Sequence, residues 1–488
     1  MMLSELIKPL VPQACLSPAQ DFPVKGITCD SRKAGKDFIF VAVKGVKDDG
    51  NKFIRDALKN GARAVVTGSR GIRGIRTEAG IPVIEAGDDR KAVSRLACDF
   101  YGDPSARIRV SGVTGTNGKT TITYLMESVL ERCGLPAGVI GTVNCRFGGK
   151  SVASGNTTPG PLDLQEILER MRREGASDAV MEVSSHALDQ GRTELVRFSA
   201  AIFTNLTQDH LDYHKNMEDY FLAKSRLFTG LTAGAVSVIN TDDPYGRKLA
   251  GLCGGRLVTY GIDLDSDVRA ADLRMSLGSS EFLVLSAGSR IKLKTRLIGK
   301  HNVYNVLAAF AWAQALGLDR EKVSAALEDF SQVPGRMEPV DAGQSFRVFV
   351  DYAHTEDALK NVLTALRQLS PGKIIVVFGC GGERDKTKRP KMGKLVCRMA
   401  DYAVITDDNP RSEDPEGIIK DIRSGIDRDN FCVIPDRLEA IRRSLSLAGP
   451  GDVVLIAGKG HENYQVLKDK TLHFDDREAA GRCLRSMS

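Results

Sequence analysis

The sequence predicts an α/β protein of three domains. A smaller α/β domain is expected over residues 1–107, a central doubly wound, mostly parallel sheet over 108–333, and a Rossmann-like domain over 334–488. Three observations carry this. Short apolar runs alternate with helix-like segments along most of the chain, as parallel strands and their crossover helices do. A glycine-rich stretch, Ser111-Gly-Val-Thr-Gly-Thr-Asn-Gly-Lys-Thr-Thr121, separates a strand-like segment (Ile108, Val110, Val113) from a helix-like one (Tyr124, Leu125, Val129, Leu130). The densest groups of polar residues fall just after apolar runs, where open α/β sheets bind ligands.

In the first domain, strands are expected over 38–43, 64–67 and 82–85 and helices over 53–59 and 92–100. Gly102-Asp-Pro-Ser105 breaks the last helix and reads as a linker. The central domain alternates strands (137–140, 179–182, 200–204, 235–240) with helices (162–173, 217–228). Residues 255–297 differ: apolar runs at 257–260, 282–285 and 291–297 suggest short antiparallel strands. A helix is expected from Asn302 to about Gly317, and Val333-Pro-Gly335 marks the exit. The third domain should hold buried strands at 347–350, 374–378, 402–406 and 453–457, with helices at 358–369, 390–399 and 438–447.

Composition narrows the function. The 488 residues suffice for several cores, and 42% hydrophobic with 27% charged residues suits a globular protein. A net charge of +6 with no basic block interleaved with aromatics argues against nucleic acid. The basic clusters at 70–76 and Lys386-Thr-Lys-Arg389 read instead as anion sites or solvated faces. Ten cysteines without a C-x-x-C argue for reduced thiols in a cytoplasm and against a zinc ribbon or disulfide framework. Glu5, Pro9 and Pro12 interrupt the N-terminal apolar stretch, so it does not read as a signal peptide. No run approaches the ~20 apolar residues that span a bilayer, so no membrane insertion is expected.

The glycine-rich stretch is a phosphate cradle. Its backbone N–H groups can close on phosphate oxygens, Lys119 can reach the terminal phosphates, and Thr120 can ligate Mg²⁺. The fit to G-x-x-x-x-G-K-[ST] is imperfect, because that pattern wants glycine at Val113. Glu182 ends a strand, where a capping or surface role is the ordinary reading; the adjoining Val-Ser-Ser-His186 weakens that reading, and Glu182 is positioned as a second Mg²⁺ ligand. His186 alone decides nothing. Asn205-Leu-Thr-Gln-Asp-His-Leu-Asp-Tyr-His214 is dense in ligating groups for a chain with seven histidines. Zinc is conceivable there, but without a nearby cysteine or an H-E-x-x-H a Mg²⁺-plus-phosphate site fits better.

Lys224 lies among apolar residues in Tyr220-Phe-Leu-Ala-Lys-Ser-Arg-Leu-Phe228. Its ordinary reading is a snorkelling lysine. Beside a metal its charge would repel, which neutralisation or conversion to an anion would resolve. Asn302, in Gly299-Lys-His-Asn-Val-Tyr-Asn305, fits an N-cap and could equally orient a phosphate. In the third domain, Asp351-Tyr-Ala-His354, Asp407-Asp-Asn-Pro-Arg411 and Gly458-Lys-Gly-His-Glu462 follow strands. Arg384, Lys386, Lys388 and Arg389 form a basic loop that reads as an anion grip. This mixed-charge set suits a ligand with both ammonium and carboxylate, such as an amino acid.

Together these motifs resemble the Mur ligases, ATP-dependent enzymes that add amino acids to the UDP-muramoyl precursor of peptidoglycan. The resemblance covers all three expected domains, and Thr114-Gly-Thr-Asn-Gly-Lys-Thr120 is the family's own variant of the loop. It implies ATP contacts at Thr114, Gly115, Thr116, Asn117, Gly118, Lys119 and Thr120, with Asn302, Arg336 and Asp351 from the other side. It implies that Cys29, Ser31, Val46, Lys47 and Asp48 face the UDP part. Asn156, Thr157, Thr158, Ser184, Gln190 and Arg192 would hold the muramoyl-peptide. Thr120 and Glu182 would bind one Mg²⁺, and His210 with a carbamate on Lys224, derived from CO₂, a second; Lys119, Lys224, His210 and Glu182 are the implied catalytic set.

Arg389, Asp408, Asn409, Pro410, Arg411, Gly458 and Glu462 resemble the amino-acid site. The D-N-P-R sequence matches the signature for meso-2,6-diaminopimelate, with Arg411 pairing the distal carboxylate that L-lysine lacks. The implied acceptor is UDP-N-acetylmuramoyl-L-alanyl-D-glutamate, and a monomer is expected. One departure is visible: Glu356 stands where the family often has proline after D-Y-A-H-T. The alternatives are a lysine-adding Mur ligase, a folylpolyglutamate synthase-like ligase, and a nucleotide-sensing regulator without turnover. The D-N-P-R sequence, the extra N-terminal domain and the intact catalytic set argue against each in turn.

Overall fold

A computed structural model describes residues 1–12, 16–45, 48–68, 80–153 and 155–487, and the backbone alone of 74–78. The expected contacts Val46 and Lys47 lie outside the described residues, as does most of the basic cluster at 70–76. Among the described residues, three large sheets organise the chain.

The first sheet runs Gly26–Thr28, Phe38–Ala42, Ala62–Thr67, Ile81–Glu85 and Gly74–Glu78. Its strands are parallel except Gly74–Glu78, which pairs antiparallel at the edge. The helix Asp89–Phe100 closes one face through Ala92, Val93 and Leu96, and Asp88 caps its start by accepting from the Lys91 N–H.

The second sheet has eleven strands. Its parallel centre is Val236–Asn240, Phe198–Phe203, Arg109–Thr114, Asp178–Glu182 and Ala137–Ile140. The phosphate-loop strand is therefore central, with Glu182 in register with Val113 on one side and Phe203 with Thr114 on the other. The helix Lys119–Arg132 packs Ile122, Leu125, Met126 and Val129 onto this sheet at helical spacing. Each such side chain contributes about 1.5–3 kcal/mol by leaving water. The helix Lys300–Ala315 is apolar nearly all round and runs through the core; Trp312 Nε1 donates to Ser111 Oγ at 3.0 Å, tying it to the phosphate-loop strand.

Two expectations are corrected here. The apolar run at 257–260 belongs to Arg256–Gly261, a parallel strand beside Val236–Asn240, because the helix Pro244–Ala250 carries the chain back before it. Within 255–297, antiparallel pairing begins with Val268–Met275 against Ser280–Ser286, followed by Ser289–Thr295. Asn302 is not an N-cap. Gly299, at φ +89°, turns the chain into the helix, and Asn302 sits within the first turn, donating to the Ile298 carbonyl at 2.9 Å.

The third sheet runs Glu338–Pro339, Arg347–Asp351, Val453–Ala457, Ile374–Phe378, Tyr402–Ile405 and Phe431–Val433, parallel throughout except for its first, two-residue edge. Pattern reading omitted the helices Pro415–Arg423 and Asp476–Met487 and the hairpin Tyr464–Leu467/Lys470–His473. Among the described residues no helix is long and apolar enough to cross a membrane.

Candidate active site

The cradle forms where Arg109–Thr114 ends and Lys119–Arg132 begins. Gly115 has φ +147° and Gly118 φ +92°. A Cβ on Gly115 would lie 1.8 Å from Thr204 Oγ1, and one on Gly118 2.5 Å from Asn305 Oδ1. Both positions therefore demand glycine for conformation and for space. Gly118→Ala is expected to add about 1–3 kcal/mol of local strain. It should raise KM for ATP with little change in KM for the other substrates; an unchanged ATP KM in the folded variant would contradict this.

The loop is braced from the next strand end. Asn205 Oδ1 accepts from the Asn117 N–H at 3.0 Å, its carbonyl accepts from the Thr116 N–H at 2.9 Å, and Thr204 Oγ1 donates to the Asn117 carbonyl at 2.6 Å. Lys119 Nζ donates to the Gly115 and Thr116 carbonyls at 3.0 and 2.9 Å, and burial lowers its pKa. The buried Thr114 Oγ1 finds no partner among the described residues.

Glu182 is 1% exposed. Its Oε2 accepts from Thr120 Oγ1 at 3.1 Å and from Thr142 Oγ1 at 3.0 Å, and its Oε1 from the Thr142 N–H at 2.8 Å. Thr142 Oγ1 lies 3.1 Å from Thr157 Oγ1. Thr142 was missed in the sequence; its signal was its place just beyond a parallel strand, Ala137–Ile140. Thr158 Oγ1 donates to the Glu182 carbonyl at 2.9 Å and accepts from the Ser184 N–H at 3.0 Å. Arg192 donates to the Thr158 carbonyl at 3.0 Å and to Gln190 Oε1 at 3.0 and 2.7 Å. Thr157, Thr158, Ser184, Gln190 and Arg192 thus form one connected wall beside Glu182.

Lys224 is 1% exposed, on the helix Met217–Thr229. Its Nζ donates to the Gly115 carbonyl at 2.8 Å and lies 4.7 Å from the centre of the Tyr220 ring. No carboxylate pairs it among the described residues. Burial first, then the Lys119 charge, push its pKa well below the usual lysine value. His210, at φ +54°, has 44% of its side chain exposed and lies 3.4 Å from Asp209; desolvation outweighs that carboxylate and draws its pKa down to about 4, which favours the neutral ring. His186 is likewise driven to about 4 by burial, and its ring lies 4.8 Å from that of His210.

These groups can be tested against Mg²⁺. Thr120 and Glu182 offer hard oxygens 3.1 Å apart, and His210 is a neutral nitrogen donor. Among the described residues no three His, Cys, Asp or Glu side chains converge as a cage. A short oxygen set completed by phosphate and water is what Mg²⁺ takes, so the residues fit that ion.

The third domain reaches the cradle directly. Arg336 donates to Thr120 Oγ1 at 3.1 Å and stacks its guanidinium 4.5 Å from the centre of the Tyr352 ring. Asp357 Oδ2 accepts from Asn117 Nδ2 and Thr207 Oγ1, both at 2.8 Å, a contact that sequence reading missed and that no local pattern signals. Asp351 is buried, which raises its pKa, and its two oxygens accept from the Met337 and Ala353 N–H groups at 2.7 and 2.8 Å. It therefore secures the interdomain linker here. Asn302 Oδ1 accepts from Asn305 Nδ2 at 2.9 Å, next to Gly118.

The loops after Tyr402–Ile405 and Val453–Ala457 meet at the same end of the third sheet. Asn409 Nδ2 donates to Glu462 Oε2 at 2.8 Å, and Lys459 Nζ reaches Asn409 Oδ1 and Glu462 Oε2 at 3.3 and 3.4 Å. Gly458 leaves room for Asp408, whose Oδ2 would lie 2.8 Å from a Cβ there. The Pro410 carbonyl packs against Gly382, leaving no space for a side chain there. Arg411 is half-buried at φ +55°, and its guanidinium donates to the Gly382 and Asn409 carbonyls at 2.8 and 3.4 Å. Among the described residues no carboxylate pairs with it.

The expected anion grip is organised differently. Arg389 is 1% exposed and already paired with Glu413 at 3.0 Å and Asp421 at 2.9 Å, Lys386 lies 3.3 Å from Glu413, and Lys388 Nζ donates to the His354 carbonyl. The helix Pro415–Arg423 carries Asp421, and Glu413 lies in the turn just before it, which spacing along the chain does not reveal.

Between the first sheet and the central domain lies a cleft of about 660 Å³ lined by Cys29, Asp30, Lys44, Arg90, Tyr101, Gln190 and Arg192 among others. Cys29 is exposed on the cleft wall, where the enclosing walls, then Asp163 and Asp89, push its thiol up to about 12. Ser31 lies beside the cleft rather than on its lining, buried at the start of a short 3₁₀ turn. Asp48 holds its own turn, its carbonyl accepting from the Gly45 N–H at 2.8 Å.

Residues 113–313 match the family description "Mur ligase middle domain", 335–460 "Mur ligase, glutamate ligase domain" and 23–101 "Mur ligase family, catalytic domain". The chain is 44% identical over 489 residues to the UDP-N-acetylmuramoyl-L-alanyl-D-glutamate–2,6-diaminopimelate ligase of Geobacter metallireducens, covering 95% of each chain. It is 44% identical over 465 residues to the enzyme of the same name from Geobacillus kaustophilus, covering 94% of each. A solved structure of a UDP-N-acetylmuramoyl-L-alanyl-D-glutamate–2,6-diaminopimelate ligase is similar at a TM-score of 0.69 and 33% identity, over 99% of both chains.

Proposed function

This chain belongs to the Mur ligase family, and on that premise we propose that it joins meso-2,6-diaminopimelate to UDP-N-acetylmuramoyl-L-alanyl-D-glutamate, consuming ATP, in peptidoglycan synthesis. The observation that carries the choice of amino acid is Arg411, a half-buried guanidinium that hydrogen-bonds carbonyl oxygens and meets no acidic side chain among the described residues. A distal carboxylate completes it; the ammonium end of lysine does not.

The triphosphate of ATP lies along the N–H groups of 115–120 at the helix N-terminus, which favours anions. Asn302, Arg336 and Asp351 flank it from the third-domain side. Lys119 exchanges its carbonyl contacts for the terminal phosphates. The UDP end occupies the cleft at Cys29, with Ser31 and Asp48 beside it; Val46 and Lys47, outside the described residues, are its further contacts by family resemblance. Asn156 and the wall of Thr157, Thr158, Ser184, Gln190 and Arg192 hold the peptide, so that its free γ-carboxylate faces the phosphate cradle.

That carboxylate attacks the terminal phosphorus, giving an acyl phosphate and ADP. The diaminopimelate amine attacks the acyl carbon, loses a proton, and phosphate leaves from the tetrahedral intermediate. In-line positioning and charge neutralisation do most of the work in such a transfer. Thr120 and Glu182 would hold one Mg²⁺, and His210 with a Lys224 carbamate another; Mg²⁺ neutralises the charge that builds on the transferring oxygens. Burial that favours the neutral form of the Lys224 amine suits that modification, since only the neutral amine adds CO₂. Arg336 and Asp357 bring the third domain onto the cradle, and closure keeps water from the acyl phosphate.

Phosphate release tests the reading. With the UDP-muramoyl-dipeptide and ATP, meso-diaminopimelate should support turnover, while L-lysine, or folate with glutamate, should not. Equal turnover with lysine would overturn the amino-acid choice, and no release under any condition would leave a regulator.

A further inference from the structure

We propose that the buried Arg437–Asp476 pair is a positioning device for the amino-acid site, setting the spacing between loops 407–411 and 458–462. This rests on the reading of those loops given above. Both side chains are fully enclosed at 0% exposure. Arg437 Nε donates to Asp476 Oδ1 and its NH2 to Oδ2, each at 2.7 Å, a two-point fork that fixes the guanidinium plane. The remaining donors point at the backbone: NH1 donates to the Asp407 carbonyl at 3.2 Å and NH2 to the Ala457 carbonyl at 3.0 Å.

Those two carbonyls stand where the loops leave the sheet. Ala457 ends the strand Val453–Ala457, and Asp407 lies just past Tyr402–Ile405. The two strands are not neighbours, because Ile374–Phe378 runs between them. No ladder hydrogen bond therefore sets the height of one loop against the other, and the guanidinium spans the gap. Arg437 opens the helix Arg437–Leu447 and Asp476 opens Asp476–Met487, so the pair also pins two helix starts at this end of the sheet. The Arg437 charge acts on Asp408 and Glu462, one carboxylate from each loop.

Stability does not explain such a pair. Two charges taken fully out of water roughly cancel their attraction, and an apolar pair of equal volume often folds as well. What an apolar pair cannot supply is a rigid fork aimed at two carbonyls.

The test is the double variant Arg437→Met/Asp476→Leu, with melting temperature, kcat and the KM of each substrate measured. We expect a folded protein whose KM for diaminopimelate rises about tenfold or more, as misplacement of binding groups does, with KM for ATP and the UDP-substrate unchanged. Equal rises in all three KM values would mean general softening and overturn the proposal, as would an unchanged diaminopimelate KM. If the double variant does not fold, Arg437→Lys decides. Its three donors cannot serve the four contacts of Arg437, so an unchanged diaminopimelate KM there overturns the proposal, and a selective rise supports it. Arg411→Ala is run alongside. If that variant leaves diaminopimelate use intact, the placement of the amino-acid site has failed; if it abolishes use while the Arg437 variants do not matter, the positioning role alone has failed.

Discussion

Lys224→Ala is expected to lose ligase activity by about a hundredfold or more, the scale seen when one preorganised electrostatic group is removed from a transition state. The cause lies in where the side chain sits. Its Nζ is buried against the Gly115 carbonyl and the Tyr220 ring, with Lys119 close enough to disfavour its charge. An unpaired ammonium there would cost several kcal/mol of desolvation. Loss of the proton removes that cost, and conversion of the amine to a carbamate turns a repelling group into an oxygen donor beside His210. The variant should stay folded with at most a modest drop in melting temperature, because the cavity and the unpaired Gly115 carbonyl it leaves are offset by loss of a buried amine that has no ion pair among the described residues. Short-chain carboxylates should restore part of the activity by standing in for the missing oxygens, and ¹³C-bicarbonate should label Lys224 in the wild type. Wild-type turnover by Lys224→Ala would sink the assignment.

Arg411→Ala is the second large effect. Loss of kcat/KM for diaminopimelate by about 10²–10³ is expected from truncating one partner of a buried charge pair, with ATP affinity held within about twofold because the cradle is a separate set of loops. Lysine use should fall far less, so the ratio between the two amino acids narrows. The physical reason is refusal: in the wild type, a lysine leaves the guanidinium without its carboxylate, and the alanine variant no longer imposes that cost. Steady-state kinetics with both amino acids decides the matter, and undiminished use of diaminopimelate would place the distal carboxylate elsewhere.

Some of the site was legible from residue order because its parts are local. Gly115 and Gly118 are required by one tight turn, Glu182 ends a strand of buried type, and Arg411 and Glu462 each follow one. Strand C-termini in a parallel sheet converge on one edge, so naming the strands nearly named the site. Other residues carried little local sign, Thr142 only its place past a parallel strand. Thr142 looked like any loop threonine until Glu182 accepted from it twice. The basic loop 384–389 looked like an anion grip until Glu413 and Asp421 folded over Arg389.

From the sequence alone followed the three-domain α/β class and the strand, glycine-rich loop and helix at 109–132. Periodicity reports which faces are buried, and glycine, proline and N-cap residues report where the chain turns; both are properties of a few adjacent residues. Tertiary structure alone decided that Asp357 grips Asn117, that Arg336 reaches Thr120, and that Arg437 joins two strands that never touch. Such contacts join residues far apart in the chain. They depend on the order in which strands enter a sheet and on how one domain rests on another, and neither leaves a trace in local spacing.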